Sequence, residues 1–549
     1  MQRKPVKRPE RTVVVKQKNN QYVYLTKDVK YHKELKRSAP NRILIGKLND
    51  DGLLIPNDNY FDIFYDEQEL LEPSDRSDVM IIGPSFIANE LSKKNELFTL
   101  LDTIFLDKAS KLLDIATYMV MSENNVMQYF EDYGFNHTLF NVDNFTDNTI
   151  SELFKEINFK DIDTFISAWV NLHTDKEVYI SYDSTNMNNT SGNIELSEFG
   201  NAKDNDDLPQ VNLSLAYNQT DSIPLFYEIY PGSIIDMMEC EKMVERARRY
   251  GVKDVGFILD RGYFSKKNIQ YFERNGYDYI IMAKANAKFL KAIIEEYGAV
   301  IRNGYSYYLK GHELYGMSVE KGMFDSKEKQ YVHIFYSGLE AEKEKIALNN
   351  HFCKFDEKLE GLKSKKIKKK EDVEYYKKFY NLRFDDNGYF LSYQRKEEVI
   401  RKYIDNSGIF VIITSKEMSA NEALETYRDR DCVEKIFRMD KSYLGNDVFR
   451  VHDTVKLETK VFVSFIALIL RNEIHKAIKP LYLKNKKEYT VPKVLKDFER
   501  LSLTKMSNDK YIQRYALTKK QKDIFKALNI PLENYNNYVK EMKDLLNKN

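Results

Sequence analysis

Between residues 178 and 290 the apolar residues cluster in five short runs, at 178–182, 211–217, 223–230, 255–259 and 278–282. Val, Ile, Tyr and Phe dominate these runs, and turn-forming residues such as Pro231-Gly232 bound them. That is strand chemistry closed off by turn chemistry. The first three runs follow one another with no helical pattern between them. Each of the last two is preceded by residues of helical periodicity, at 237–250 and 265–275. Hairpin-linked strands followed by alternating helix and strand describe a mixed sheet with helices on its faces, which places the chain in the α/β class.

The pattern breaks at 291–407. That stretch carries β runs at 305–309, 314–319 and 331–336, then a strongly charged helical section containing Lys365, Lys366, Lys368, Lys369 and Lys370. A buried-strand pattern returns at 409–413, followed by helical patterns at about 419–441 and 455–476. The sheet is therefore expected to resume after a β-rich insertion. Upstream, the runs at 12–15, 22–25 and 42–47 predict strands, broken by turn residues at Asn19-Asn20 and around Asp51-Gly52. Residues 97–105 and 154–166 carry the three- and four-residue apolar spacing of helices. The expected organisation is a β-rich N-terminal module (1–75), a helical domain (76–175), a first core segment (176–290), an insertion domain (291–407), a second core segment (408–478) and a basic helical C-terminal region (479–549).

Composition excludes several classes. Hydrophobic residues make up 42% and charged residues 31%, too apolar for a disordered chain and too charged for a membrane protein. The longest apolar stretch, 461–470, is half the ~20 residues that a spanning helix needs. The basic start has no apolar segment behind it, so no secretory signal is expected. Cys240, Cys353 and Cys432 lie too far apart for a disulfide framework or a close-spaced zinc motif, and the eight histidines form no cluster. These features fit a cytoplasmic protein. Net charge is only +1, but residues 1–50 and 475–549 each carry a net +10, leaving −19 in between. Basic ends around an acidic centre suit a protein that grips phosphates at its edges and holds cations in its middle, and equally suit solvated lysine-rich tails.

Two aspartates stand at strand ends: Asp183 after the run at 178–182 and Asp260 after the run at 255–259. Side chains there are held by the sheet and open to solvent, where α/β sheets place their chemistry. Asp at a strand end is also a common turn former or helix cap. A third element lies in the helical pattern at 426–441. At about 100° per residue, Tyr427, Arg430, Glu434 and Lys441 share one stripe, while Val433, Ile436, Phe437 and Leu444 fall on a separate apolar arc. The stripe presents a carboxylate flanked by two cations and a phenol. The same spacing fits a solvated charged face with an Arg430–Glu434 pair.

The series Tyr427, Arg430, Glu434, Lys441 meets the pattern Y-x2-R-x3-E-x6-K without a gap, and resembles the signature of the insertion-sequence DDE transposases. These are the YREK (Tyr-Arg-Glu-Lys) cut-and-paste elements, whose ribonuclease H-like core is split by a β-rich insertion. Tyr182-Asp183-Ser184-Thr185 and Asp260-Arg261-Gly262-Tyr263-Phe264 resemble the two catalytic-aspartate segments, Asp207-Leu208 the stretch before the second strand, and Arg514-Tyr515-Ala516-Leu517-Thr518 the tail of one subgroup. Asn205-Asp206 departs from the basic residue that relatives often carry there. The resemblance implies that Asp183, Asp260 and Glu434 are catalytic and hold two Mg2+ ions, with Mn2+ as a substitute. Asp183 would be shared by both ions. It implies that Tyr427, Arg430 and Lys441 contact DNA phosphates, that the partners are double-stranded transposon-end repeats and target DNA, and that a homodimer forms in the synaptic complex at the nucleoid. Lys284 and Lys288 are candidate backbone contacts, and Tyr315 or Phe324 candidate stacking residues for a flipped base. A nuclease that cleaves without joining, and a non-catalytic DNA-binding regulator, are the competing expectations.

Overall fold

The computed structural model describes residues 5–548 except 18–19, 33–36, 65–75, 142, 175–177, 190–192, 201–207, 235, 253–254, 285–287, 324–328, 368–369, 447 and 507–509. The chain divides into two compact units. One comprises Met1–Leu91, Met127–Ile150 and Ala477–Asn549, and the other Ser92–Val126 and Ser151–Lys476.

The second unit is built on a nine-stranded sheet. Its strands in chain order are β1 (Val178–Asn188), β2 (Gln210–Asn218), β3 (Ile223–Pro231), β4 (Val255–Leu259), β5 (Asp278–Met282), β6 (Tyr308–Leu309), β7 (Leu314–Glu320), β8 (Tyr331–Tyr336) and β9 (Ile409–Thr414). Their spatial order is β6-β7-β8-β9-β5-β4-β1-β2-β3. β1, β4 and β5 run parallel, while β2 is antiparallel to β1 and β3 to β2. β9 lies antiparallel between β5 and β8. The five runs of 178–282 thus form one mixed sheet, and the run at 409–413 rejoins it. β2 and β4 are buried at every position, as expected of strands covered on both faces.

The stretch 291–407 divides in two. Its strands β6–β8 extend the large sheet beyond β9. The run at 305–309 is mostly a 3₁₀ turn, Tyr305–Tyr307, and only its last two residues pair. His333 of β8 is buried between Ser318 and Thr414, and burial pushes its pKa down to about 4, so it is a neutral core histidine. Beyond β8, helices Gly338–Leu362, Lys370–Lys377 and Glu397–Asp405 and the hairpin Tyr380–Phe384/Phe390–Arg395 close on a separate apolar cluster around Phe352, Leu359, Tyr380 and Phe390.

The helical spacing over 154–166 falls on two helices, Asp147–Glu156 and Phe159–Leu172. Asn158 separates them. Its side chain accepts the Asp161 N–H, a cap that starts a new helix. Helix Thr454–Lys484 runs past the predicted end at 476 and through Pro480. Most of its middle is buried, with Phe462 against Phe105 and Phe165 and Phe465 against Tyr227 of β3. Trp169 is fully buried, stacks on Phe165, and donates its indole N–H to the Pro224 carbonyl at 2.8 Å.

In the first unit, Thr12–Gln17, Asn20–His32, Arg37–Leu48 and Leu54–Pro56 form a sequential antiparallel sheet closed on Val23, Ile45 and Leu54. The C-terminal stretch reads as helical, yet Ser502–Lys505 and Tyr511–Gln513 are strands, and Ser502–Lys505 also pairs with Val79–Ile81. These runs are too short to carry a periodic signal. Helices Lys519–Ala527 and Leu532–Lys548 pack through Phe525 and Tyr535 onto Phe86. Among the described residues no helix is long and apolar enough to cross a membrane.

Candidate active site

β1 and β4 pair in parallel with Val178 opposite Val255 and Tyr182 opposite Leu259. Asp183 and Asp260 are the next residue on each. Neighbouring strands lie about 4.8 Å apart, so the backbone brings the two aspartates to adjacent positions one residue beyond the last registered pair. Asp260 directly follows its strand. Asp183 does not, because β1 continues to Asn188 through its pairing with β2. It sits instead where β1 loses its β4 neighbour. Each Oδ1 accepts the N–H of the following residue, Ser184 at 2.8 Å and Arg261 at 2.6 Å, which fixes the orientation of both carboxylates.

The spacing over 419–441 predicts a single helix, and here the structure differs. Two helices form, Ala420–Arg428 and Asp431–Arg438, followed by a π-helical turn at Met439–Tyr443. Ser419 and Glu422 make a reciprocal capping box at the first. Between the two, hydrogen bonds tighten to three-residue spacing, from the N–H of Arg430, Cys432 and Val433 to the carbonyls of Tyr427, Asp429 and Arg430. Tightening over-rotates the chain and the π turn under-rotates it, so one 100° stripe does not carry all four residues. Tyr427 turns inward. It is 7% exposed and packs with Ile258, Ile280 and Leu424 rather than presenting a phenol on an open face. Burial pushes its hydroxyl well above the ordinary value. Arg430 opposes that shift, and Asp260 and Asp183 reinforce it.

Arg430 is 8% exposed and its guanidinium lies 5.6 Å from the Tyr427 ring centre. Nη1 donates to Asp183 Oδ2 at 3.1 Å and Nη2 to Glu434 Oε1 at 2.6 Å. Burial opposes its charge, but Tyr427, Asp183, Asp260 and Glu434 outweigh that and raise its pKa. The i,i+4 Arg430–Glu434 pair is therefore present, and the same guanidinium reaches the sheet aspartate. Val433, Ile436 and Phe437 are buried, and their helix packs against β1 and β2, holding Glu434 over the strand ends. Asp183, Asp260, Tyr427, Arg430 and Glu434 come together. Lys441 lies further along, half-buried in the π turn beside Asp440.

That turn rests on buried polar groups that the sequence reading does not identify. Asp440 is 4% exposed, and its Oδ1 accepts from Asn446 at 2.7 Å. Its Oδ2 has no hydrogen-bond partner, and the residue lines a small apolar cavity with Leu213, Leu215, Phe437 and Phe465. Asn446 Oδ1 accepts from Asn125, which also donates to the Gly445 carbonyl at 2.7 Å. Lys460, 1% exposed, donates to the Asn125 carbonyl at 3.2 Å. Arg471 stacks on Tyr443 at 4.6 Å. Asn125 and Gly445 are 320 residues apart in sequence, so no local pattern announces their contact.

Burial raises the Asp440 pKa from 3.8 to about 6. The folded state then keeps a proton that the unfolded chain releases near pH 4. Stability is expected to fall as pH rises from about 4 to about 6, by up to ~3 kcal/mol. Asp440→Asn removes the titration while keeping the shape. Urea denaturation is expected to show this variant more stable than the wild type above pH 6, with the difference vanishing towards pH 4.

Lys284 is half-buried just after β5, and Lys288 opens the next helix. Tyr315 lies in a tyrosine ladder on β7, 5.5 Å from Tyr308 and 6.3 Å from Tyr336. Phe324 and the stretch around Asn205, Asp206 and Asp207 lie outside the described residues.

Among the described residues no three His, Cys, Asp or Glu side chains stand close enough, as placed, to cage a metal ion. The Arg430 guanidinium lies between Asp183 and Glu434. The donor set itself, three carboxylates without histidine or cysteine, is the chemistry that hard divalent cations select. In comparison with known proteins, the transposase DDE domain family matches residues 175–470, more than half of the chain, a range that includes Asp183, Asp260, Tyr427, Arg430, Glu434 and Lys441. Among curated proteins, none matches the chain.

Proposed function

The chain belongs to the transposase DDE domain family, and on that premise we propose that it is a cut-and-paste transposase of the YREK type. It would cleave transposon ends and join the freed 3′-OH to target DNA. The observation that carries this reading is the register of β1 and β4, which aligns Asp183 with Asp260, together with the single guanidinium that ties Asp183 to Glu434. The order β3-β2-β1-β4-β5, with β1, β4 and β5 parallel, supports reading this side of the sheet as a ribonuclease H-like core. Residues 291–407 are then its insertion. The net +10 of residues 1–50 and of residues 475–549 supports DNA contact by the start of the N-terminal module and by the C-terminal region. Synapsis of two ends calls for a homodimer.

In this reading Asp183, Asp260 and Glu434 hold two divalent cations, Mg2+ or Mn2+. Such a pair supplies an activated nucleophile and charge stabilisation at both the attacking and the leaving oxygen. The rest falls to the chain's own groups. The sheet fixes Asp183 and Asp260. Helix Asp431–Arg438 lowers Glu434 onto them. Arg430 grips a phosphate beside the scissile bond through its planar donor fork. The buried Tyr427 supports the guanidinium from below, and its hydroxyl stays neutral. Lys441 adds a cation along the backbone path.

The test uses labelled duplex ending in the inverted repeats that flank the coding region, incubated with the protein in Mg2+. Nicked ends followed by products joined to a target plasmid are expected. Cleavage with no joined product would replace this reading with that of a nuclease, and binding with neither would replace it with that of a regulator.

A further inference from the structure

Arg430 is placed to serve two anions that cannot both hold it. It is buried, bonded to Asp183 and Glu434, and close enough to Asp260 to feel its charge. Its Nε is buried and makes no hydrogen bond. Three acids and one guanidinium leave the cluster negative, which favours cations. Cations that took Asp183 Oδ2 and Glu434 Oε1 would use the very oxygens that Arg430 now occupies. The guanidinium would then be a buried charge beside like charges, a costly state unless another anion pairs with it. A phosphodiester is such an anion, and a guanidinium released from the two acids can offer it two parallel N–H donors.

We propose that Arg430 is an exchange counter-ion that couples cation binding to DNA binding. This deepens the transposase reading and rests on it. Without DNA, Arg430 competes with divalent cations for Asp183 and Glu434. With DNA, it moves to a phosphate and the acids are released to the cations. Coupling of this kind is reciprocal, so cations tighten DNA binding by the same factor by which DNA tightens cation binding.

The test is Mn2+ binding followed by calorimetry and by Mn2+ paramagnetic resonance, without DNA and with a mixed-sequence duplex at low salt. The wild type is expected to bind Mn2+ weakly alone and at least about tenfold more tightly with duplex, a coupling in the usual range. Arg430→Gln is expected to bind Mn2+ about tenfold more tightly than the wild type without DNA and to gain little from duplex. Its melting temperature is expected to be lower than the wild type's in EDTA and to rise more on adding Mn2+. Arg430→Lys, whose single ammonium cannot span both acids, is expected to fall between the two, and carries the test should the Gln variant not fold. Arg430→Gln binding Mn2+ no better than the wild type without DNA would overturn the proposal. Asp183→Asn separates the two readings. If it abolishes Mn2+ binding while Arg430→Gln leaves it unchanged, the metal site stands and the exchange role falls. If Asp183→Asn changes nothing, the site reading itself fails.

Discussion

Alanine at Asp183, Asp260 or Glu434 is expected to lower metal-dependent DNA cleavage by about a hundred- to a thousandfold, the loss reached on removing one strong electrostatic group from an active site. The reason is geometric. Asp183 and Asp260 are fixed by strand register and by the N–H of the next residue, so no neighbouring oxygen can take their place. Glu434 approaches from a helix whose other face is buried on β1 and β2. Because the three act as one unit, a double variant is expected to lose little beyond either single one. Single-turnover cleavage of labelled ends in Mg2+ measures this. Folding of the Glu434 variant is expected to be intact, since that side chain is half exposed at 54%. Wild-type-like cleavage by any one of the three would remove that residue from the site.

Trp169→Ala is expected to destabilise the second unit by about 3–5 kcal/mol. Trp169 is 0% exposed, lies parallel to and offset from the Phe165 ring with centres 6.3 Å apart, and bonds the Pro224 carbonyl of the edge strand β3. Alanine removes a large apolar volume and leaves a buried carbonyl without its donor, and the two losses add. Equilibrium denaturation followed by fluorescence of the sole tryptophan cannot report on this variant, so circular dichroism is the appropriate probe. A shift below about 1 kcal/mol would show that the helix Phe159–Leu172 is not anchored to the sheet in this way.

Much of the sheet is legible in the chain because its strands are short, apolar and punctuated. The runs at 211–217, 255–259 and 278–282 sit within β2, β4 and β5. The runs at 331–336 and 409–413 do the same for β8 and β9, although their place at the far side of β5 is not readable, since pairing is a long-range property. Boundaries blur where tertiary contacts decide them. β1 outlasts its apolar run because β2 supplies partners as far as Gln210. At the site, the strand-end position of Asp260 follows from the five apolar residues before it. The inward turn of Tyr427 does not follow, because it depends on a break at Asp429 that no Gly or Pro marks. The Asp440, Asn446, Asn125 and Lys460 network is invisible for the same kind of reason. Each is an ordinary polar residue until segments hundreds of positions apart bury it.

The most direct test of the central claim is anomalous diffraction from crystals of the protein bound to end DNA and soaked in Mn2+. Peaks are expected within coordination distance, about 2 Å, of carboxylate oxygens of Asp183, Asp260 and Glu434. Arg430 is expected to have turned from Asp183 and Glu434 to a DNA phosphate. Ordered Mn2+ elsewhere, with these three carboxylates bearing none, would contradict the account.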